Sequence, residues 1–258
     1  MMNETNEGYV HSQTEHGITT IEFFHPKSNS LPGKLLNELA HEIHYTGTHD
    51  SKVIILKSAG EGAFCAGASF DELVAINNQE EGQKFFMGFA NVINAMRKCN
   101  KFIIGRIHGK CVGGGVGIAA AADYAIAINT VDIKLSELAL GIGPFVVGPA
   151  VERKIGTSAF SQLAIDATLW RNSDWAKKKG LFAEVHESSS NMDDSIGRLS
   201  STLAHSSPEA IVEMKKIFWK GTEDWDVLLK QRATISGRLV LSDFTRDAIA
   251  NFKKKIKA

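Results

Sequence analysis

The chain has 258 residues, with 29 lysines and arginines against 29 aspartates and glutamates, so it is formally neutral at pH 7. Hydrophobic residues make up 43% and charged residues 22%, an ordinary globular usage that argues against a collagen-like or disordered chain. Neutrality gives no general pull toward nucleic acid or an acidic membrane face; the basic patch is Arg246, Lys253, Lys254, Lys255 and Lys257. Cysteines 65, 99 and 111 form no C-x-x-C pair, so neither a disulfide framework nor a thiolate zinc site is indicated. The first twenty residues are polar and lack an apolar stretch of signal-peptide type. The apolar runs 112–122 and 138–151 are broken by glycine and shorter than a bilayer span. A soluble, cytoplasmic protein is expected.

In chain order, His16–Phe24 reads as a strand and Leu35, Leu36, Leu39, Ala40 and Ile43 recur at helical spacing. Val53–Leu56 is a short apolar strand of the kind covered on both faces. A glycine-containing loop, Gly60–Gly67, leads into a long helical stretch ending near Cys99. Phe102–His108 is a second buried strand; it enters Gly109–Gly117 and then alanine-rich Ile118–Ala122, a strong helix former. Tyr124–Ile128, Val131–Leu135 and Ala183–His186 read as short strands. The last part is helical, in pieces 208–219, 224–241 and 243–257. Strands alternating with helices, then helices alone, predict an α/β body with a helical C-terminal part.

A strand that empties through glycines into a helix leaves unpaired N–H groups beside the positive end of the helix dipole, a setting for a phosphate, a carboxylate or an oxyanion. Gly115-x-Gly117-x-x-Ala120 also fits the dinucleotide pattern, but the following helix is short for a Rossmann crossover and no acidic residue ends a following strand at the expected distance. Neither a P-loop nor a G-x-S-x-G elbow is present. The loop Gly62–Phe70 also joins a buried strand to a helix, and two such loops together could present two amides to one oxygen. His41 and His44 lie three apart rather than the four of a zincin helix, and read as a solvated face. Cys65 reads as a small buried hydrophobe rather than a nucleophile, and His108 as structural.

Phe64-Cys-Ala-Gly-Ala68-Ser-Phe, Gly109-Lys-Cys-Val-Gly113-Gly114-Gly115 and Asp123-Tyr-Ala-Ile-Ala resemble the crotonase family, the enoyl-CoA hydratase/isomerase superfamily. Ser136-Glu137-Leu-Ala-Leu-Gly141-Ile-Gly-Pro144, Trp175-Ala-Lys-Lys-Lys-Gly-Leu-Phe and the Ala250–Lys255 segment continue the match from about residue 16 to the end. The resemblance implies a crotonase-type spiral of ββα units over 1–190 and a helical region over 191–258 that trimerises and covers the site. It also implies an acyl-CoA thioester ligand, no covalently bound cofactor, no metal, and a homotrimer or dimer of trimers, with neither nucleic acid nor membrane as partner. The oxyanion amides would be those of Ala68 and Gly114, and the glycine run would keep side chains clear of the thioester. Lys27 and Lys255 would meet the CoA moiety, Phe70, Leu73 and Phe145 would line the acyl pocket, and Ala66, Gly117, Pro144 and Phe252 would complete the substrate-binding set.

Hydratases of this family carry a glutamate two residues after the glycine triplet and another about twenty residues later. The second is Glu137; the first falls on Gly117, which has no side chain. Hydration uses two carboxylates around one water, whereas moving a double bond from the 3,4 to the 2,3 position needs one base that takes a proton from C2 and returns it to C4. The expected activity is therefore a 3-enoyl-CoA to 2-enoyl-CoA isomerase with Glu137 as its base, buried near Phe145 and Val146 with a raised pKa. The alternatives are an enoyl-CoA hydratase that recruits Asp71 or Glu72, and a non-catalytic acyl-CoA-binding scaffold.

Overall fold

The computed structural model describes residues 8–257, with side chains through residue 251. Strand β1 (Tyr9–Glu15) pairs antiparallel with β2 (Ile18–Phe24) through a two-residue turn at His16 and Gly17, both with positive φ, as right-twisted hairpins favour. From β2 the sheet continues in parallel through β4 (Val53–Ser58), β6 (Phe102–Ile107), β8 (Tyr124–Ile128) and β11 (Glu184–His186). Residues 53–56 of β4 and 102–105 of β6 are apolar because both their faces are covered, and the charged Lys57 and Arg106 follow them. On one face, Ile54, Leu56 and Ile103 meet Leu39 and Ile43 of α1 (Gly33–Thr48) and Val92, Ile93 and Met96 of α3 (Gln79–Lys98). On the other, Val53, Ile104 and Ile126 meet Met192 and Ile196 of α7 (Ser189–Ala204).

Four of the parallel strands are each followed by a short second strand and then a helix. β3 (Ser30–Leu31) precedes α1, β5 (Gly67–Ala68) precedes α2 (Phe70–Ala75) and α3, and β7 (Cys111–Val112) precedes α4 (Gly114–Ala121). β9 (Asp132–Lys134) leads, by way of a single 3-10 turn at Leu138–Leu140, to α5 (Gly148–Ile165). The second strands build their own layer: β3 pairs β5, β7 pairs β9, β9 pairs β10 (Arg171–Asn172), and a bridge between Cys65 and Cys111 joins the two groups. This is the ββα spiral that the family motifs imply.

The remaining helices close the body. α6 (Ser173–Lys178) packs beside β10 and β11. From α8 (Pro208–Phe218), Lys215 Nζ reaches Asp123 at 2.7 Å, and Trp219 Nε1, at the end of that helix, donates to the same carboxylate at 3.1 Å. α9 (Trp225–Leu239) lies along α3 so closely that a Cβ on Gly82 would stand 2.8 Å from Gly237 Cα. α10 (Asp243–Lys257) rests on the 3-10 turn.

Three local readings are revised by the structure. Residues 9–15, read as part of a polar leader, form an edge strand. The stretch ending at Cys99 is two helices, with Asn78 capping the second through a bond from the Glu81 N–H at 2.9 Å. α4 begins at Gly114 rather than Ile118. No helix among the described residues is long and apolar enough to cross a membrane. No cluster of three or more metal-ligating side chains occurs among the described residues, and His41 and His44 are exposed on α1.

Candidate active site

β4 and β6 are neighbours, so the loops that leave their C-terminal ends emerge side by side, where ligands of parallel sheets bind. The loops then pair with each other: the Cys65 N–H donates to Lys110 O at 3.3 Å and the Val112 N–H to Cys65 O at 2.9 Å. A Cβ on Gly67, whose φ is +94°, would stand 3.1 Å from Val112 O and 3.7 Å from the Gly114 nitrogen. Ala66–Ala68 and Gly113–Gly114 therefore meet, which composition alone could not establish. Gly114 opens α4, so its N–H belongs to the first turn and has no acceptor within the helix.

Each glycine of the triplet is required by the protein's own packing. A Cβ on Gly113, at φ +53°, would lie 2.9 Å from Glu137 Oε1; on Gly114, 2.2 Å from the Phe89 ring; on Gly115, 2.2 Å from Cys65 O. Three internal contacts thus already require these positions to be bare, in addition to the expected clearance for a thioester. Phe89 is the residue missed at this point: the sequence marks it only as one of an apolar helix stripe, and its ring lies on the Gly114 backbone.

Glu137 sits just before the 3-10 turn, and its carbonyl accepts from both the Leu140 and Ile142 N–H groups, at 3.1 and 3.0 Å, which fixes the turn. The residue keeps some exposed surface, yet its Oε2 is buried without a hydrogen-bond partner. Loss of water around the carboxyl raises its pKa from 4.5 to about 7, with a backbone hydrogen bond opposing. A carboxyl so placed exchanges protons readily near neutrality. At Gly117 there is no room for the second acid: a Cβ there would lie 2.6 Å from Val147 Cγ1 and 2.8 Å from Val147 Cβ.

A family model for enoyl-CoA hydratase/isomerase matches residues 13–257. The chain belongs to that family. The short-chain-enoyl-CoA hydratase of Clostridium acetobutylicum is 28% identical over 259 residues, covering 98% of this chain and 97% of the relative. The peroxisomal Delta(3,5)-Delta(2,4)-dienoyl-CoA isomerase of Arabidopsis thaliana is 27% identical over 217 residues, 78% and 76% of the two chains. The fold matches that of an enoyl-CoA hydratase from Bacillus halodurans with a TM-score of 0.87 at 20% identity, over 94% of this chain and 99% of that one. The chain is thus an enzyme of the enoyl-CoA hydratase/isomerase family, and relatives of both reaction types stand at similar distance from it.

The other expected positions divide into groups. Phe70 and the buried Leu73 of α2 gather with Ile142, Val240 and Ile249 in a small apolar cluster under α9 and α10. Pro144 and Phe145 instead line an open cleft of ≈ 270 Å³ with Gly148, Pro149, Phe160 and Arg232, and the Phe145 ring lies over Gly143. Val146, not Phe145, joins the main core. Lys27 pairs with Asp71 at the exposed rim, and Glu72 Oε2 accepts from the Gly33 N–H at 2.8 Å. The side chains of Phe252 and Lys255 lie outside the described residues. Cys65 is fully buried with its thiol pushed up to about 12, and burial, followed by nearby Arg106, holds His108 below its usual pKa. Neither is equipped as a nucleophile or a cationic acid.

Proposed function

We propose that this enzyme converts 3-enoyl-CoA thioesters to the conjugated 2-enoyl isomers. Glu137 removes the C2 proton as the electron pair moves toward the thioester oxygen, and the Ala68 and Gly114 amides hold that oxygen as an enolate. The 3,4 double bond moves to 2,3 and the Glu137 carboxyl returns its proton to C4, so the thioester is rearranged with no atom gained or lost. Lys27, Phe252 and Lys255 receive the CoA moiety, and Ala66, Phe70, Leu73, Pro144 and Phe145 bound the acyl chain.

The carrying observation is a buried carboxyl, the only carboxyl among the described residues with an unpartnered buried oxygen, beside the glycine triplet where the two loops meet. A hydratase would need a second acid, and the candidates are engaged elsewhere: Asp71 with Lys27, Glu72 with the Gly33 amide. A homotrimer is part of the same proposal, supported by exposed apolar side chains at Ile165, Ile217 and Val227, and sedimentation of the purified protein tests it. For the chemistry, purified protein is incubated with a 3-enoyl-CoA and the conjugated product followed by its absorbance. Glu137→Gln is expected to bind CoA and to lose turnover by roughly two to four orders of magnitude. Full turnover by that variant would refute the assignment of the base.

A further inference from the structure

The structure assigns to Val147 the selectivity of the reaction: its side chain fills the space beside Glu137 that a water molecule or a second carboxyl would need. The inference rests on the isomerase reading above and goes beyond it by naming what keeps water from the bound thioester.

Gly113, the N-cap of α4, and Gly117 are joined by the Gly117 N–H to Gly113 O bond of 3.2 Å. Against the first lies Glu137 Oε1, and against the second lie Val147 Cγ1 and Cβ, with Ile93 Cδ1 3.6 Å from the same point. Glu137 and Val147 therefore both pack against the first turn of α4, one at its N-cap and the other at Gly117. Val147 is held there. The Val151 N–H caps its carbonyl at 3.1 Å, and the Gly148 N–H beside it donates to Pro144 O at 2.8 Å. Val147 and Ile93 are both buried, so the wall that faces Gly117 is hydrocarbon.

Water needs roughly 30 Å³ and two to four polar partners to be held in a protein interior. At Gly117, where the second carboxyl and its water would stand, the valine takes the room, and Ile93 behind it offers no polar side-chain atom. Hydration would require a water oxygen to bond to C3, one of its O–H bonds to break with the proton passing to a carboxylate, and C2 to be protonated. Isomerisation requires none of this. Gly117 and Val147 thus form a matched small-and-large pair, and the consequence is a thioester that meets a base but no positioned nucleophile.

The test compares hydration of a 2-enoyl-CoA with isomerisation of the matched 3-enoyl-CoA in the wild type, Val147→Ala, Gly117→Glu and the double variant Gly117→Glu/Val147→Gly. Val147→Ala vacates room for water, and its hydration-to-isomerisation ratio is expected to rise about tenfold, as one or two methyl groups are worth in a pocket. Water reaching Glu137 should also move the midpoint of its pH–rate profile downward, a change that a merely structural role would not produce. In the double variant the new carboxyl has space, and the ratio is expected to rise about a hundredfold, the lower end for one positioned acid or base. Gly117→Glu alone should instead lose both activities together and melt earlier. A folded Val147→Ala with an unchanged ratio and an unchanged pH midpoint overturns the role of Val147 and leaves the isomerase reading standing. A wild type that isomerises no 3-enoyl-CoA overturns that reading, whatever the variants do.

Discussion

Replacing Glu137 by glutamine should abolish the chemistry and at the same time relieve the protein, in a way that depends on pH. The carboxyl has a pKa raised by burial from 4.5 to about 7, which corresponds to about 3 kcal/mol of folded-state destabilisation once it is ionised. Below 4.5 both the folded and the unfolded chain hold the proton, and the penalty is absent. Between 4.5 and about 7 the unfolded chain has released it while the folded one retains it, so wild-type stability falls as pH rises, by up to about 1.4 kcal/mol per pH unit. Above about 7 the whole penalty is present. Glutamine has nearly the same shape and no proton to lose, so its own unpaired amide adds an offset that does not change with pH. Equilibrium urea unfolding at about pH 5 and about pH 8.5 should therefore show Glu137→Gln gaining on the wild type by on the order of 2–3 kcal/mol between the two conditions. A stability difference that is the same at both pH values would mean that the carboxyl is solvated, and the physical ground for its acting as the base would be gone.

Asp123 accepts from the Ile103 N–H at 2.8 Å and from Lys215 and Trp219, with Lys215 almost wholly buried. Asp123→Asn leaves that ammonium without its counter-charge and is expected to cost about 3–5 kcal/mol, read from urea midpoints. Gly114→Ala drives a methyl into the Phe89 ring and should cost about 1–3 kcal/mol together with turnover; Phe89→Ala in the same chain should recover part of the loss, seen as non-additivity in thermal melts.

The fold was legible where burial writes itself into composition. Residues 53–56 and 102–105 are apolar throughout because helices cover both faces of the sheet there, and the glycine loops that follow these strands mark where the chain turns toward the second layer. β1 gave no such signal. It is an edge strand whose side chains are mostly exposed, and its pairing with β2 is made by backbone groups that any sequence carries. Helix propensity placed the start of α4 at Ile118, since glycine is a poor helix former; the close quarters between Cys65, Phe89 and Glu137 override propensity there. Within the site, Glu137 and the two loops could be named from motifs. Phe89 and Val147 could not, because each is an ordinary apolar residue in sequence and acquires meaning only from what it touches.

The last helix has a bearing on when the site exists at all. A Cβ on Gly141 would fall 2.5 Å from Phe244 and 2.8 Å from Thr245 Oγ1, so the turn carrying Glu137 is braced by the first turn of α10. The two loops depend on strands made early in synthesis, whereas the backing of the base is supplied far later in the chain. The β-bridge between Cys65 and Cys111 and the Gly114 amide are built from residues that precede 243, so a nascent or clipped chain that ends there contains all of their parts. The turn that carries Glu137 would then keep its own hydrogen bonds but lose the packing of Phe244 and Thr245. If Glu137 is the base, as proposed, catalytic competence waits on the last helix to be made, and the completion of folding and the onset of activity become a single event.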